Sequence, residues 1–180
     1  MSKILNAGLL AASLLLVAGS SQSESQEAKP ALTVFESMTQ VIDPQSQAFW
    51  NSSYDAMNDA GDIVPAKLTD EQRSTMRGAA VAIRDQARQF AGDTRAIVAA
   101  EGVKILNEGM DGALGARQVQ ALIDADPEGF AAQARDLATI ADNVIAGLDT
   151  GDMAKLNQAA IRLNDVCTDC HSKYWYPEQK

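Results

Sequence analysis

The chain holds a single histidine, two cysteines, two tryptophans and five prolines among 180 residues. One histidine excludes any site that needs two imidazoles from one molecule, and two cysteines permit one disulfide at most. Basic residues are also short: 15 lysines and arginines against 24 aspartates and glutamates give a formal charge of −9, which removes nucleic acid from the expected partners. Long apolar runs are missing except near the start, where Ile4 to Ala18 is too short for a comfortable membrane span. No segment alternates apolar and polar residues in the manner of a half-buried strand, so an all-α chain is expected. No nucleophile, base and orienting group converge in a motif, so no enzyme is expected.

What the N-terminus does have is Lys3, the apolar run Ile4 to Ala18, and then Gly19, Ser20 and Ser21. Charged, apolar and small-residue regions in that order read as a secretory signal peptide, assigned to residues 1–22, with export to the periplasm. Ser20 stands where a lipid anchor would need cysteine. Loss of Lys3 with the signal takes the charge to about −10, a field that favours encounter with a basic patch on another protein. Residues 23–30 are polar and aperiodic and read as a flexible lead. Residues 31–180 are then long enough for one domain but not for two.

Four amphipathic helices are predicted within that domain. Val34, Phe35, Met38, Val41 and Ile42 begin the first, which Asp43-Pro44 is expected to kink or break, with Asp43 capping the continuation through Phe49, Trp50, Tyr54 and Met57. Thr69-Asp70-Glu71-Gln72 has the form of a capping box and opens the second, which runs to Phe90. Asp126-Pro127 opens the third, along Phe130, Ala134, Leu137, Ala141, Val144 and Leu148. After a turn at Asp149 to Gly151 the last helix carries Leu156, Ala160, Leu163, Val166, Cys170 and Tyr174, until Pro177 stops it. A short connection between the third and fourth helices and one-sided apolar stripes imply an antiparallel four-helix bundle. Between helices two and three lies an insertion, about residues 91–125, broken by five glycines and holding a short apolar pattern at Val119, Leu122 and Ile123. It reads equally as a lid with a short helix or as a tolerated surface excursion.

Cys167-Thr168-Asp169-Cys170-His171 is a C-x-x-C-H sequence, the attachment signature of haem c. Helical residues three apart project from one side, so both thiols can reach the two vinyl groups of one porphyrin edge, and the adjacent His171 is directed beneath the ring toward the iron. A disulfide or a thioredoxin-like dithiol is the plainer alternative for a C-x-x-C pair. Against it stand the following histidine, the position at the end of a last helix rather than after a strand, and the export signal. A structural zinc site would want four ligands, and the chain offers three soft ones.

A C-x-x-C-H motif closing a four-helix chain resembles the cytochrome c′ and cytochrome c-556 group. The segments Met38 to Pro44, Trp50, and Cys167 to Pro177 are similar to a set of exported proteobacterial cytochromes within it. The resemblance implies a bundle with one covalent haem near one end; the insertion departs from typical members. With His171 as the only histidine, the iron's second face is left to a methionine or stays open. Met153 lies 18 residues before His171 on the same helix, about 27 Å along the axis. In an up-down-up-down bundle the start of helix one is level with the motif, whereas Met57 and Met76 fall at the far pole. Met38 is therefore favoured as the distal ligand, with Met110 in the insertion as a rival and an open iron as the remaining case. Phe35, Trp50, Phe90, Phe130, Tyr174 and Trp175 are candidates for the haem surround, or are ordinary core. One-electron transfer to a redox partner protein is the leading expectation, and gas binding at an open sixth site the alternative. No sequence feature opposes a homodimer.

Overall fold

A computed structural model describes residues 31–93 and 95–177. The expected signal peptide and lead lie outside those residues. Thr33 opens the first helix with a capping box: its hydroxyl accepts from the Glu36 N–H, and the Glu36 carboxylate accepts from the Thr33 N–H at 2.9 Å. Val34–Ser37, a π-helical segment Met38–Ile42 and Asp43–Tyr54 then follow without interruption as one helix, α1.

The expected break at Asp43-Pro44 is therefore corrected. Asp43 is helical (φ −62°, ψ −51°) and caps nothing; its N–H reaches back five residues to the Met38 carbonyl. A proline inside a plain α-helix loses one hydrogen bond and presses on the carbonyl four residues earlier. The wider π turn just before Pro44 supplies the room, so the helix continues instead of breaking.

After Tyr54 the chain turns through an isolated bridge between Met57 and Ile63. Ile63 is fixed to the last helix, its N–H donating to Asn157 Oδ1 at 2.7 Å and its carbonyl accepting from Asn157 Nδ2 at 3.3 Å. Helix α2, Asp70–Gly92, starts at the expected Thr69/Gln72 capping box. Helix α3, Ala116–Ala125, belongs to the insertion. Helix α4, Pro127–Thr150, is capped by Asp126, whose carboxylate accepts from the Gly129 N–H at 2.9 Å. Gly151 ends it in the left-handed conformation (φ 72°), and Asp152 caps α5, Met153–Tyr174, which ends three residues before Pro177. Gly147 lets α4 and α5 approach: a Cβ there would lie 2.9 Å from the Leu156 backbone nitrogen.

Helix α1 packs on α2, α2 on α4, and α4 on α5, around a core whose fully buried side chains include Phe49, Met76, Ile83, Val144, Leu156 and Leu163. This is the expected antiparallel four-helix bundle with an insertion between its second and third members. One seam of the ring, between α1 and α5, is occupied by a cavity lined by both helices.

The insertion closes that seam at one end. The first two N–H groups of α1, which have no partner within their own helix, donate to the insertion's Ile97 and Val98 carbonyls at 2.8 and 2.9 Å. At the other side the Leu114 N–H donates to the Trp175 carbonyl at 2.9 Å, and Asn107 Nδ2 donates to the Tyr176 hydroxyl at 2.6 Å. Glu108 organises the interior of the segment: one carboxylate oxygen accepts from the N–H groups of Ile105 and Ala116, each at 3.2 Å. The insertion is thus a strap between the start of α1 and the end of α5, with a short helix of its own.

Candidate functional site

Cys167, Cys170 and His171 sit in the last two turns of α5, partly buried, and all three line the seam cavity, whose volume is about 680 Å³. The thiols are not joined to each other. Burial pushes the Cys167 thiol above its ordinary value, and burial together with the neighbouring Cys167 pushes Cys170 up to about 12. Burial also holds the His171 imidazole below its ordinary value, so at neutral pH it is uncharged, the form that can donate a lone pair to a metal. The imidazole stands edge-on to the Trp175 indole, with centroids 5.2 Å apart. Trp175 is placed there by its own N–H, which donates to the His171 carbonyl at 2.8 Å.

Across the cavity, Met38 lines the wall contributed by α1 and belongs to its π turn. Met110 is 63% exposed and is not part of the lining. Met76 is fully buried in the core, and Met57 and Met153 pack against the core away from the cavity. The six aromatic residues named as candidate surround, Phe35, Trp50, Phe90, Phe130, Tyr174 and Trp175, all line it. Arg84 and Arg88 do not; both pair with Asp142 on α4, Arg88 at 2.7 Å and Arg84 at 3.7 Å.

Sequence reasoning missed part of the wall. Val98, Ile105 and Leu106 of the strap, with Val119 and Ile123 of α3, complete the lining. Only the last two lie on a periodic stripe; the others sit in glycine-rich backbone whose facing no local pattern gives. No group of three or more His, Cys, Asp and Glu side chains gathers in the described residues, so an iron there would depend on a macrocycle for most of its ligands.

The donor set fits a haem c. The cavity is of the size and largely apolar character of an organic cofactor site. It presents two thiols three residues apart, a neutral imidazole beside them and a thioether opposite. Two further polar atoms there, the Tyr174 hydroxyl and the Trp175 indole nitrogen, are buried without a hydrogen-bond partner among the described residues, as expected where a bound group completes the site.

No helix of the described residues is long and apolar enough to cross a membrane. No curated protein and no solved structure gives a significant match to the chain. A family model for cytochrome c′ does match, over residues 66–175. That stretch is more than half of the chain and runs from the turn before α2 through the C-x-x-C-H motif, leaving out α1 and with it Met38. Helical bundle, cavity, motif and family match agree, and the chain belongs to the cytochrome c′ family, whose cofactor is one covalently attached haem c.

Proposed function

We propose that the protein is a periplasmic cytochrome that carries one electron at a time, with thioether bonds at Cys167 and Cys170, His171 as proximal ligand and Met38 as distal ligand. The observation that carries the reading is that Met38 and His171 line one cavity from helices on its two sides, whereas Met110 faces solvent. Residues in a π turn often serve a site, and Met38 begins one. A six-coordinate iron changes oxidation state with little rearrangement of its ligands, and thioether ligation favours the ferrous state. A redox partner with a basic surface would complement the charge of about −10.

The test is the optical spectrum of the purified protein, oxidised and reduced, with and without CO. Low-spin iron in both states, slow CO binding and a weak red-edge sulfur-to-iron band are expected, all lost in Met38→Ala and kept in Met110→Ala. High-spin wild-type protein would replace this reading with gas binding at an open sixth site. Export is tested by fractionation and N-terminal sequencing: cleavage between Ala18 and Ser25 is expected, and an intact Met1 on the haem protein would refute it.

A further inference from the structure

Two buried donors at the cavity have no role in attachment or ligation. The Tyr174 hydroxyl and the Trp175 indole nitrogen are shielded from solvent and have no partner within hydrogen-bond distance among the described residues. Neither side chain is free to turn elsewhere. Tyr174 is 4% exposed and its ring stands edge-on against Phe130, with centroids 5.6 Å apart. Trp175 is fixed at its backbone by the His171 carbonyl and the Leu114 N–H, at 2.8 and 2.9 Å, and at its ring by the His171 imidazole.

An indole N–H only donates, so its partner must accept. In a haem the ring nitrogens are committed to iron, and the acceptors that remain are the two propionate carboxylates. A buried carboxylate ordinarily meets a cation, but among the described residues no lysine or arginine lines this cavity. Arg84 and Arg88 are paired with Asp142, and Lys173 with Asp126 at 2.8 Å. The charged side chain in the lining is Asp43, which repels a carboxylate. Of the neutral hydrogen-bonding side chains that also line the cavity, Thr39, Gln47 and Asn164 are exposed and Ser46 and Gln133 partly so, and none of them is left shielded from solvent without a partner.

We propose that Tyr174 and Trp175 bind the haem carboxylates, the phenol O–H and the indole N–H each donating to a propionate oxygen in place of a cation. The inference rests on the haem c cofactor and is independent of the distal ligand. It also explains why the helix carrying the motif continues to Tyr174 and is followed at once by tryptophan.

The experiment uses holoprotein: wild type, Tyr174→Phe and Trp175→Phe, both of which keep an aromatic ring in place. Haem mass on the denatured chain and the spin state are recorded first; these stay unchanged if only the carboxylate contacts are lost, and a wild-type failure there would reject the haem reading rather than this one. Resonance Raman then reads the propionate bending band, which is expected to shift to lower frequency in each variant. Ultraviolet Raman reads the indole N–H, and the wild-type minus Trp175→Phe difference removes the contribution of Trp50. A hydrogen-bonded indole is expected in that difference. Unchanged propionate bands in both variants, or a free indole N–H in wild type, would overturn the proposal. Should one variant fail to mature, the other variant and the wild-type indole band decide.

Discussion

Glu108→Ala should loosen the strap that closes the cavity. The carboxylate holds the N–H groups of Ile105 and Ala116, the second at the start of α3. Losing one helix-start acceptor costs about 0.5–2 kcal/mol, and hydrogen bonds to a charged group lie somewhat higher. Ile105 is buried but Glu108 is only partly so, which argues for a combined loss of about 2 kcal/mol rather than the sum of two full bonds. At 1.4 kcal/mol per decade this raises the strap's opening constant about 30-fold.

Amide hydrogen exchange reads that constant where the strap is tied to the bundle. The Val34 and Phe35 N–H groups donate to Ile97 and Val98, and the Leu114 N–H to Trp175. All three should exchange about 30-fold faster, while amides in the middle of α4 stay unchanged. Gly115→Ala attacks the same contact from the other side, because its Cβ would lie 2.9 Å from Glu108 Cδ. The two substitutions should therefore be less than additive. Full additivity, or Phe35 and Leu114 amides that keep wild-type protection in Glu108→Ala, would refute the role given to Glu108.

Cys167→Ala or Cys170→Ala should leave at most one thioether, so part or all of the haem becomes extractable by acid–acetone and any retained pigment shows a shifted haemochrome band; wild-type haem that extracts freely would reject covalent attachment. Asp126 is held below its ordinary value of 3.8 by the Lys173 ammonium and by the Gly129 N–H. A carboxylate with a depressed folded pKa contributes stability in full above its unfolded value and loses it as pH falls through the folded one. Asp126→Asn keeps an acceptor for the cap but cannot ionise, so its urea midpoint should fall less steeply than wild type below pH about 3.8. Parallel acid limbs would contradict the linkage.

The same dipeptide, Asp-Pro, stands at two expected helix starts, with opposite outcomes. A residue before proline disfavours the helical region, and Asp126 obeys, with φ −145° and ψ 65°. Asp43 does not. The difference is tertiary: the residues before Pro44 carry Phe35, Met38 and Ile42, which are needed along the cavity wall, and packing keeps the helix running. Thr69 with Gln72, and Asp126 itself, were legible because caps act within three residues. The strap was not, because its ties join residues as far apart as Asn107 and Tyr176, and Val98 and Gln120. Cys167, Cys170 and His171 were legible as a group because their chemistry fixes their spacing. Met38 could be ranked above Met57, Met76 and Met153 from bundle geometry, which left Met110 as a rival, and nothing local to residues 38–42 announces a π turn.

That turn has a geometric consequence that a deletion can test. The α1 residues on the cavity wall recur every four residues from Val34 through Met38, Ile42, Ser46 and Trp50 to Tyr54. In a plain α-helix each residue turns about 100°, so Val34 and Tyr54 would face directions about 200° apart and could not share a wall. A π turn absorbs one surplus residue and reduces the difference to about 100°, the width of an ordinary apolar stripe. Deleting the exposed Gln40 should remove the surplus together with the turn and leave Met38 on the cavity side, so the low-spin spectrum survives. Pro44 would then lie inside a regular helix at a cost of about 3 kcal/mol, and Pro44→Ala should restore the lost stability. Inserting one alanine after Gln40 is the opposite case: the turn already holds one extra residue, a second rotates Met38 away by about 100°, and the iron should become high-spin. Equal loss of the low-spin spectrum in the insertion and in the Gln40 deletion carrying Pro44→Ala would show that Met38 depends on the π geometry itself, and the register argument would fail.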